Sequence, residues 1–562
     1  MQKQCAQCQA GFEIADADLV FYDQVSPKFN NAQYSLPAPS QCPTCRIRRR
    51  MAHRNERSLY RRGCDLCKKD MIALYPDTAP FPVYCNACWW NDSWDPNQYG
   101  KNYDFSVPFF EQFASVNNEV PHIAMMNDNG VNSENCEYTQ DFAFGKDCYL
   151  VVGAWYLQDC YFCGRNCVHS KDLTDCFFIV QSEHCFECTS SQKLYNCRYV
   201  RSSENCTDCL FGFDLRGCTS CFGCCGLRHK KYHWFNEPLS ESEYKERLSN
   251  VDSSSYSKVE AMKKKFEDSI EPLPRRPMNL QNAEGCTGDY LSNCENVHDS
   301  YIIFNAKDCR YCDMSDGIRS CFDTLHTGGA QFCYESITPD DSYMTLFSFW
   351  CWKDKYTYYS DNCHASQHLF GCTSVRRGNY QILNKQYTQE DYEELVPKII
   401  EHMNTTGEWG EFFPMNRSPF SYNETMAQES FPMKKDEVAL NGLQWKESLE
   451  VIPKNEKSIN ADSLPDRIED IPDDILNWNI ICESSGKSFK IIKQELDIYR
   501  EQKIPIPHLH PDERHYARLK SQNTRGLHNR TCQKCQKAIQ TTYSPDRPET
   551  VYCEECYLKE VY

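Results

Sequence analysis

A chain of 562 residues is long enough for three or four domains, each with a core of its own. Its net charge of −18 argues against a protein that coats nucleic acid indiscriminately, and no 18-residue apolar run offers a membrane span. No basic-then-apolar leader opens the chain either. We therefore expect a reducing, cytoplasmic location, in which the 37 cysteines bind metal or stay free rather than form disulfides.

The first predicted element, residues 1–98, is a double zinc module. Its clearest feature is a pair of Cys-x-x-Cys knuckles separated by 17 residues, which supply four soft ligands for a tetrahedral zinc ion. An apolar run up to Leu74, a Pro76-Asp77 turn and Val83 between the knuckles predict a hairpin. A second set of four cysteines has a longer loop and predicts a treble-clef-like site whose last two ligands open a helix. The two ligand sets are Cys64, Cys67, Cys85 and Cys88, and Cys5, Cys8, Cys42 and Cys45.

The helix after Cys45 is predicted to be basic over residues 46–62. Ten Lys and Arg residues stand against two acids from Cys42 to Lys69, a net charge of +8. Arginines held between two zinc sites suit phosphate contacts, which carry little sequence information. The candidates for nucleic-acid contact in this module are Arg46, Arg48, Arg49, Arg50, Arg54, Arg57, Arg61 and Arg62.

A connector helix is predicted within residues 99–130, and regularly spaced cysteines follow in residues 131–238 and again in 286–387. Cys167, Cys188 and Cys209 lie 21 residues apart, and an Asn or Asp commonly precedes a cysteine. A fixed period with β-prone segments and polar corners is typical of a β-solenoid, here in two blocks of about four coils and about 20 Å each. Thiols stacked inside the coils explain the cysteines, with extra metal sites or disulfides as the alternatives.

Both blocks end in the same pattern, since Tyr244 lies 148 residues before Tyr392. Each ending leads into a predicted helix that covers the last coil, with Ser240 and Thr388 as the N-caps. The predicted ranges are 239–285 for capping helices and a Pro-rich linker, 388–404 for the second capping helix, and 405–475 for an acidic, irregular linker with one short helix near 435–448.

Residues 476–562 repeat the first module. Residues 42–88 align on 510–556 without a gap, with 16 of 47 positions identical. The double knuckle returns as Cys532, Cys535, Cys553 and Cys556. The other site is degenerate, because Cys482 and His510 keep two ligand positions while Ser485 and Glu513 replace cysteines. We predict a metal-free remnant there, with an open Cys/His/Glu zinc site as the alternative, and hence three zinc ions per chain.

The N-terminal pattern of two Cys-x-x-Cys pairs with Phe12 and Cys42-Pro-Thr-Cys45-Arg46 resembles the probable zinc-ribbon domains of bacterial proteins. The wider chain resembles an uncharacterised family from candidate-phylum bacteria, in which such modules flank cysteine repeats. The resemblance covers most of the chain and implies an architecture but no activity. In that family the second module commonly keeps its first zinc site, so Ser485, His510 and Glu513 are departures. The matching stretches are 55–60, 89–96, 407–414 and 543–548.

The chain is thus predicted to be mainly β, with a two-block cysteine-rich β-solenoid and capping helices between N- and C-terminal treble-clef or zinc-ribbon modules. We predict a non-catalytic binding protein that contacts RNA or a ribonucleoprotein through its basic modules, with a structural or adaptor protein that uses the solenoid as a scaffold as the alternative. In the second module the candidate contacts are Arg514, Arg518 and Arg525.

A carbohydrate-active enzyme is the least favoured class. Asp313, Asp316 and Asp323 could supply carboxylates, as in other β-solenoids. The sequence has no phosphate-binding glycine loop, no nucleophile elbow and no His-Glu-x-x-His motif. His364 and His368 lie four residues apart, but in a repeat where loops or strands are expected rather than a helix.

Overall fold

The computed structural model describes residues 1–447, 457–523 and 525–562 and shows a mainly β chain in two compact units. One unit combines Met1–Met126 with Met278–Lys446, and the other combines Asn127–Pro277 with Glu447–Tyr562. Each unit therefore contains one cysteine-ligand module and one solenoid block. The N-terminal module belongs with the second block and the C-terminal module with the first, a pairing that the sequence pattern did not indicate.

The strands of each solenoid are mostly parallel, and their register pairs a residue with the one twelve positions later. Leu194 pairs with Cys206, and Thr357 pairs with Leu369. A coil therefore has twelve residues, and the predicted period of 21 was wrong. Residues 139–234 and 280–382 each form about eight coils, which span about 40 Å at the usual inter-strand spacing, twice the predicted length.

The coil closes because every third residue adopts the left-handed (αL) conformation. Positive φ recurs at each third position from Asn166 to Phe235 and from Tyr290 to Leu383. Asn and Asp tolerate αL better than most residues with a side chain, which explains why they often precede a cysteine. The residue after each αL position points inward, since the buried cores of both blocks consist of residues that directly follow one.

The triplet also explains the wrong period. Inward positions recur every three residues, so cysteine spacings of 9, 12 and 21 are all multiples of one unit. Which multiple closes a coil depends on backbone hydrogen bonds between coils. Inside, the thiols donate weakly to backbone carbonyls, as Cys188 Sγ does to Cys197 O at 3.3 Å. All 37 cysteines lie within the described residues and are free, so the interior is a ladder of thiols and small residues.

The strands of the first block are Thr139–Ala143, Val151–Tyr161, Gly164–Thr174, Phe177–Val180, Glu183–Phe186, Thr189–Tyr195, Arg198–Arg201, Glu204–Thr207, Leu210–Phe213, Thr219–Cys225, Lys231–Trp234 and Glu237–Pro238. Those of the second block are Leu280–Glu284, Gly288–His298, Ser300–Phe304, Lys307–Arg310, Asp313–Asp316, Phe322–Leu325, Tyr334–Ile337, Tyr343–Leu346, Lys355–Tyr358, Gln367–Phe370, Asn379–Ile382 and Lys385–Gln386. In each block the last two strands form an antiparallel hairpin that ends the parallel stack.

A helix covers the last coil of each block. Ser240 and Thr388 accept backbone hydrogen bonds as the predicted N-caps, and the rings of Tyr244 and Tyr392 pack on tyrosines of the final strands. The helices that follow the blocks are Glu241–Ser249, Tyr256–Ile270 and Gln389–Thr406. Aromatic burial at these ends shields a sheet edge that would otherwise be open.

The remaining elements belong to the modules and linkers. The predicted connector contains the helix Phe109–Asn117. The predicted irregular segment 405–475 contains the helices Met426–Ser430 and Lys435–Leu440, and its residues 448–456 lie outside the described residues. Across the described ranges, no helix is both long and apolar enough to cross a membrane. The module helices are Asp16–Gln24, Pro43–Met51, Asn86–Trp89, Lys493–Gln502, Pro511–Lys520 and Glu554–Val561. The short strands outside the solenoids are Gln2–Gln4, Gly11–Glu13, Lys28–Phe29, Ala32–Gln33, Tyr60–Gly63, Asp70–Ala73, Val83–Tyr84, His122–Ile123, Ser458–Asn460, Asn479–Ile481, Ser488–Phe489, His528–Thr531 and Ala538–Thr541.

The αL requirement can be tested at Asn205, an exposed residue with φ of 52°. Asn205→Val places a β-branched side chain in that conformation and should lower the free energy of unfolding by about 1–2 kcal/mol. Asn205→Gly should change it far less, because glycine adopts αL freely. Urea titrations of the full chain followed by circular dichroism compare the two. Equal losses for Val and Gly would contradict a backbone origin.

Candidate metal centres

Each four-cysteine site joins a knuckle at a hairpin turn to two cysteines at a helix start. In the first site the knuckle of Cys5 and Cys8 lies between the strands Gln2–Gln4 and Gly11–Glu13. Gln9, with φ of 61°, closes the turn and donates its amide to Cys5 O. Cys42 is the N-cap of the helix Pro43–Met51, so the predicted position of the last two ligands at a helix start is confirmed.

The other two sites repeat this plan, with Cys85 and Cys553 as helix N-caps. The predicted hairpin between the knuckles was wrong. In the first module the hairpin strands Tyr60–Gly63 and Asp70–Ala73 enclose the first knuckle, and Val83–Tyr84 pairs in parallel with His122–Ile123. The knuckle makes the turn itself, through an αL residue after its second cysteine, so the later Pro-Asp pair is not the hairpin turn.

The sulfur atoms in all three sites are close enough to share one ion. The four Sγ atoms of each site lie within 4.8 Å of one another, so each site could hold a metal ion. Neighbouring Sγ atoms are 3.8, 3.9 and 3.7 Å apart in the first, second and third sites. The twelve cysteines are those predicted from the sequence: Cys5, Cys8, Cys42 and Cys45; Cys64, Cys67, Cys85 and Cys88; and Cys532, Cys535, Cys553 and Cys556.

In each site one thiol has a lowered pKa, which favours its thiolate form. Burial opposes the charge on Cys5 and Cys532, but hydrogen bonds from backbone amides outweigh it and lower the pKa of each thiol to about 6. At the second site the backbone amide of Lys69 lowers the pKa of the Cys67 thiol to about 7. Because the thiolate is the form that binds metal, the backbone of each site favours a ligand state.

The degenerate site keeps its backbone geometry without a ligand set. Cys482 Sγ accepts the amide of His510 at 3.2 Å, just as Cys5 Sγ accepts the amide of Cys42 at 3.3 Å. The Nδ1 atom of His510 is used as the N-cap of the following helix, where it accepts the amide of Asp512. In the part of the chain that the structure describes, Cys482 and His510 belong to no group of three metal-ligand atoms.

The helix after the first site buries its arginines against the second solenoid block. Asp323 accepts charged hydrogen bonds from Arg46 at 2.8 Å and pairs with Arg50 at 3.1 Å, and Glu335 one coil later pairs with Arg49 at 2.9 Å. All five side chains are at most 6% exposed. We call this set, Arg46, Arg49, Arg50, Asp323 and Glu335, the arginine clamp. Its guanidinium groups hold the two carboxylates against the helix.

Neighbouring arginines extend these contacts. Arg54 donates to the Thr338 hydroxyl at 2.6 Å and lies 4.8 Å from the centre of the Trp350 ring. Arg62 is buried and donates to Pro76 O, which holds the turn before the second knuckle pair. Five of the eight arginines predicted to contact nucleic acid are therefore buried: Arg46, Arg49, Arg50, Arg54 and Arg62. The basic helix predicted over residues 46–62 ends at Met51, and Arg62 lies in the strand Tyr60–Gly63. The expectation that these arginines are displayed to a ligand was wrong as well, because they bind groups of their own unit.

The second unit repeats the clamp between the C-terminal module and the first block. Asp175, 148 residues before Asp323, accepts hydrogen bonds from Arg514 and from Arg518, the latter at 2.8 Å. Arg514 also lies 4.6 Å from the centre of the Phe162 ring. Two of the four arginine pairs that are identical in the aligned modules, Arg46/Arg514 and Arg50/Arg518, thus hold a solenoid carboxylate. Arg525 is partly exposed, as are Arg48 and Arg57, and Arg61 is exposed.

The carboxylates that pair with the clamp arginines were not predicted from the sequence. The 148-residue repeat relates Asp175 to Asp323 and also Glu187 to Glu335, and this signal would have identified the two acids of each block. We call these pairs of acids, one coil apart, the acidic column. Ala517 aligns with Arg49, so the second module has no arginine at that position. In the second unit Lys263 pairs instead with Glu187, at 2.9 Å.

The candidate catalytic residues do not form a site. Asp323 is held by two arginines, Asp313 is buried and Asp316 is exposed, so the three share no common surface. His364 forms parallel β-bridges with Trp352 and Arg376, and His368 lies in the strand Gln367–Phe370, as the sequence predicted for a non-helical repeat. Burial lowers the pKa of His364 to about 3, which keeps its ring neutral beside Trp89 and Trp352.

Comparison with known proteins found no match among protein-family models or among curated proteins. The function is therefore argued from the residues of this chain.

Removing one charge tests the clamp. Asparagine has the same shape as aspartate and also tolerates the αL conformation. Asp323→Asn therefore removes only the negative charge that faces the buried guanidinium groups of Arg46 and Arg50. We expect a loss of about 3–5 kcal/mol in the free energy of unfolding, measured by urea titration. The control is Asp308→Asn. Asp308 is also at an αL position, but its carboxylate accepts a hydrogen bond from the exposed Asn296 and takes no part in the clamp, so this change should cost less than about 0.5 kcal/mol. Equal losses for the two would mean that the clamp does not stabilise the unit.

Proposed function

We propose that this protein is a non-catalytic, zinc-stabilised scaffold that binds a partner protein on the outer faces of its solenoids. Each unit is a stack of coils with a zinc module clamped to it. The observation that carries the proposal is an exposed row of stacked aromatic rings on successive coils of the first solenoid. In this proposal the zinc modules stabilise and position the solenoids and catalyse no reaction.

The sulfur geometry suits a tetrahedral zinc ion. A tetrahedral zinc with zinc–sulfur distances of about 2.3 Å has sulfur atoms about 3.8 Å apart. The neighbouring sulfurs of the three sites lie 3.7 to 3.9 Å apart. Four cysteine ligands leave no open coordination position, which is typical of structural rather than catalytic zinc.

Metal binding in this arrangement supports a whole unit. The helix Pro43–Met51 begins at a ligand, Cys42, and carries the arginines of the clamp. Structural zinc can supply on the order of 10 kcal/mol of apparent folding energy. A bound ion would therefore fix the start of the helix, and the helix would fix the solenoid coils that carry Asp323 and Glu335.

Two rows of aromatic side chains at αL positions support a binding face on the solenoids. Phe144, Tyr156 and His169 stack coil upon coil in the first block, with ring centres 4.8 and 4.6 Å apart. In the second block Tyr356 stacks on His368 in the same manner, at 5.1 Å. Phe144 and Tyr156 are among the most exposed large apolar side chains. Aromatic rings that are exposed and held rigidly are favourable anchors for a protein partner.

Contact with RNA through the basic modules stays a prediction with less support. The strongest arginine candidates are engaged in the clamps, which leaves Arg48, Arg57, Arg61 and Arg525 at least partly exposed. Membership of the candidate-phylum family with flanking zinc-ribbon modules is likewise a proposal. It rests on the sequence resemblance and agrees with the proposed architecture.

Two cysteines at equivalent positions test the metal assignment. Cys5→Ser should lower the zinc content by one ion per chain, because it removes a ligand of a four-cysteine site. Cys482→Ser is the matched control and should leave the zinc content unchanged. Native mass spectrometry of the full chain counts the ions. A loss of one zinc from Cys482→Ser would show that the degenerate site binds metal after all.

The aromatic row is tested by affinity purification from nuclease-treated and untreated lysates. We expect one stoichiometric protein partner that survives nuclease and is lost with the double variant Phe144→Ser/Tyr156→Ser. The control is Tyr195→Ser, since Tyr195 is 49% exposed and Tyr156 is 48% exposed, but Tyr195 lies outside the row. Retention of the partner by the double variant, or loss of the partner on nuclease treatment, would contradict the scaffold proposal.

A further inference from the structure

Asp354 is a carboxylate inside the second solenoid. It follows the αL residue Lys353, so its side chain points inward, and it is fully buried. Its Oδ1 atom accepts the amide of Ser366 at 2.7 Å. Its Oδ2 atom is buried and has no hydrogen-bond partner in the described part of the chain. A buried carboxylate oxygen without a partner is costly, so it needs a physical explanation.

The neighbouring coils show that the ladder itself does not need an acid. Ser342, one coil earlier, accepts the amide of Asp354 on its hydroxyl at 3.1 Å, and Ser366, one coil later, accepts the amide of Gly378 at 3.0 Å. Serine therefore performs the same backbone role on both sides of Asp354. What the aspartate adds is the second oxygen, Oδ2, and a negative charge when ionised.

Two thiols lie beside the Asp354 carboxylate. Cys351 and Cys363 lie on successive coils, one inward position before and three after Asp354, and both are fully buried. One ligand atom from each of the three residues lies within 4.8 Å of the others. We propose that Cys351, Asp354 and Cys363 bind a zinc ion in the interior of the solenoid, separate from the four-cysteine sites.

The chemistry of the donors favours zinc. Two thiolates and one carboxylate are all accepted zinc ligands, whereas purely soft ions disfavour the carboxylate and hard ions disfavour the thiolates. Binding would release the protons of the thiols, and of the carboxyl where protonated, to solvent, so that Zn²⁺ offsets two of three ligand charges. Asp323 has arginines for this purpose, but no Lys or Arg side chain forms a salt bridge with Asp354 among the described residues.

The test measures ions per chain in protein expressed in zinc-supplemented medium, by native mass spectrometry and elemental analysis. Asp354→Ser restores the residue that the neighbouring coils use, so it should fold and contain one zinc fewer than wild type. Cys351→Ser should lose the same ion, since serine is accepted at inward positions elsewhere. Cys372→Ser is the control, because Cys372 is an inward thiol of a nearby coil outside the group of three, and it should keep the wild-type content.

A wild-type content of three ions or fewer, with no ion lost in Asp354→Ser or Cys351→Ser, would overturn the proposal. So would an Asp354→Ser variant with native circular dichroism and the full wild-type content. Elemental analysis that assigns the extra ion to another metal would overturn the choice of zinc. The variants of Cys5 act on a different site, so failure here leaves the four-cysteine assignment untouched.

Discussion

A left-handed residue at every third position is the constraint on which both solenoids depend. Four such residues turn the chain through one coil of twelve, and the residue after each turn points inward. Small side chains, above all cysteine, fill the interior because successive inward positions stack at the inter-strand spacing. The αL residues themselves stack on the outside, and this is how the acidic column and the aromatic rows arise.

In the clamps, acids stacked on the outside of a solenoid bind arginines of a module and so form the interface between the two. Asp323 and Glu335 stand one coil apart, at a spacing that suits arginines one helical turn apart on the module. Desolvated arginines and carboxylates are favourable only when each finds its partner, so the interface is specific. The same contact, made by Asp175 with Arg514 and Arg518, recurs in the second unit. The module–solenoid pair therefore repeats as a whole, although each module belongs with the block that is farther from it in the chain.

The basic ends show how net charge can mislead. A segment with a net charge of +8 suggested a nucleic-acid surface. In the folded unit three of those arginines, Arg46, Arg49 and Arg50, are buried against Asp323 and Glu335, acids that lie almost 300 residues away in the chain. A scaffold with zinc-held ends accounts for the same residues, since the arginines then serve stability and the exposed aromatic rows serve binding.

The sequence by itself determined what depends on local spacing. The twelve ligand cysteines, the helix starts at Cys42 and Ser240, the duplicated module and the solenoid class all follow from short motifs or repeats. Tertiary structure alone decided the twelve-residue coil, because every multiple of three is compatible with the cysteine pattern and only inter-coil hydrogen bonds choose one. It also decided which module belongs with which block, the burial of Arg46 and Arg50, and the meeting of Asp354 with two thiols. Those outcomes depend on contacts between residues distant in the chain, or on which side chains of successive coils face one another, and no local pattern records them.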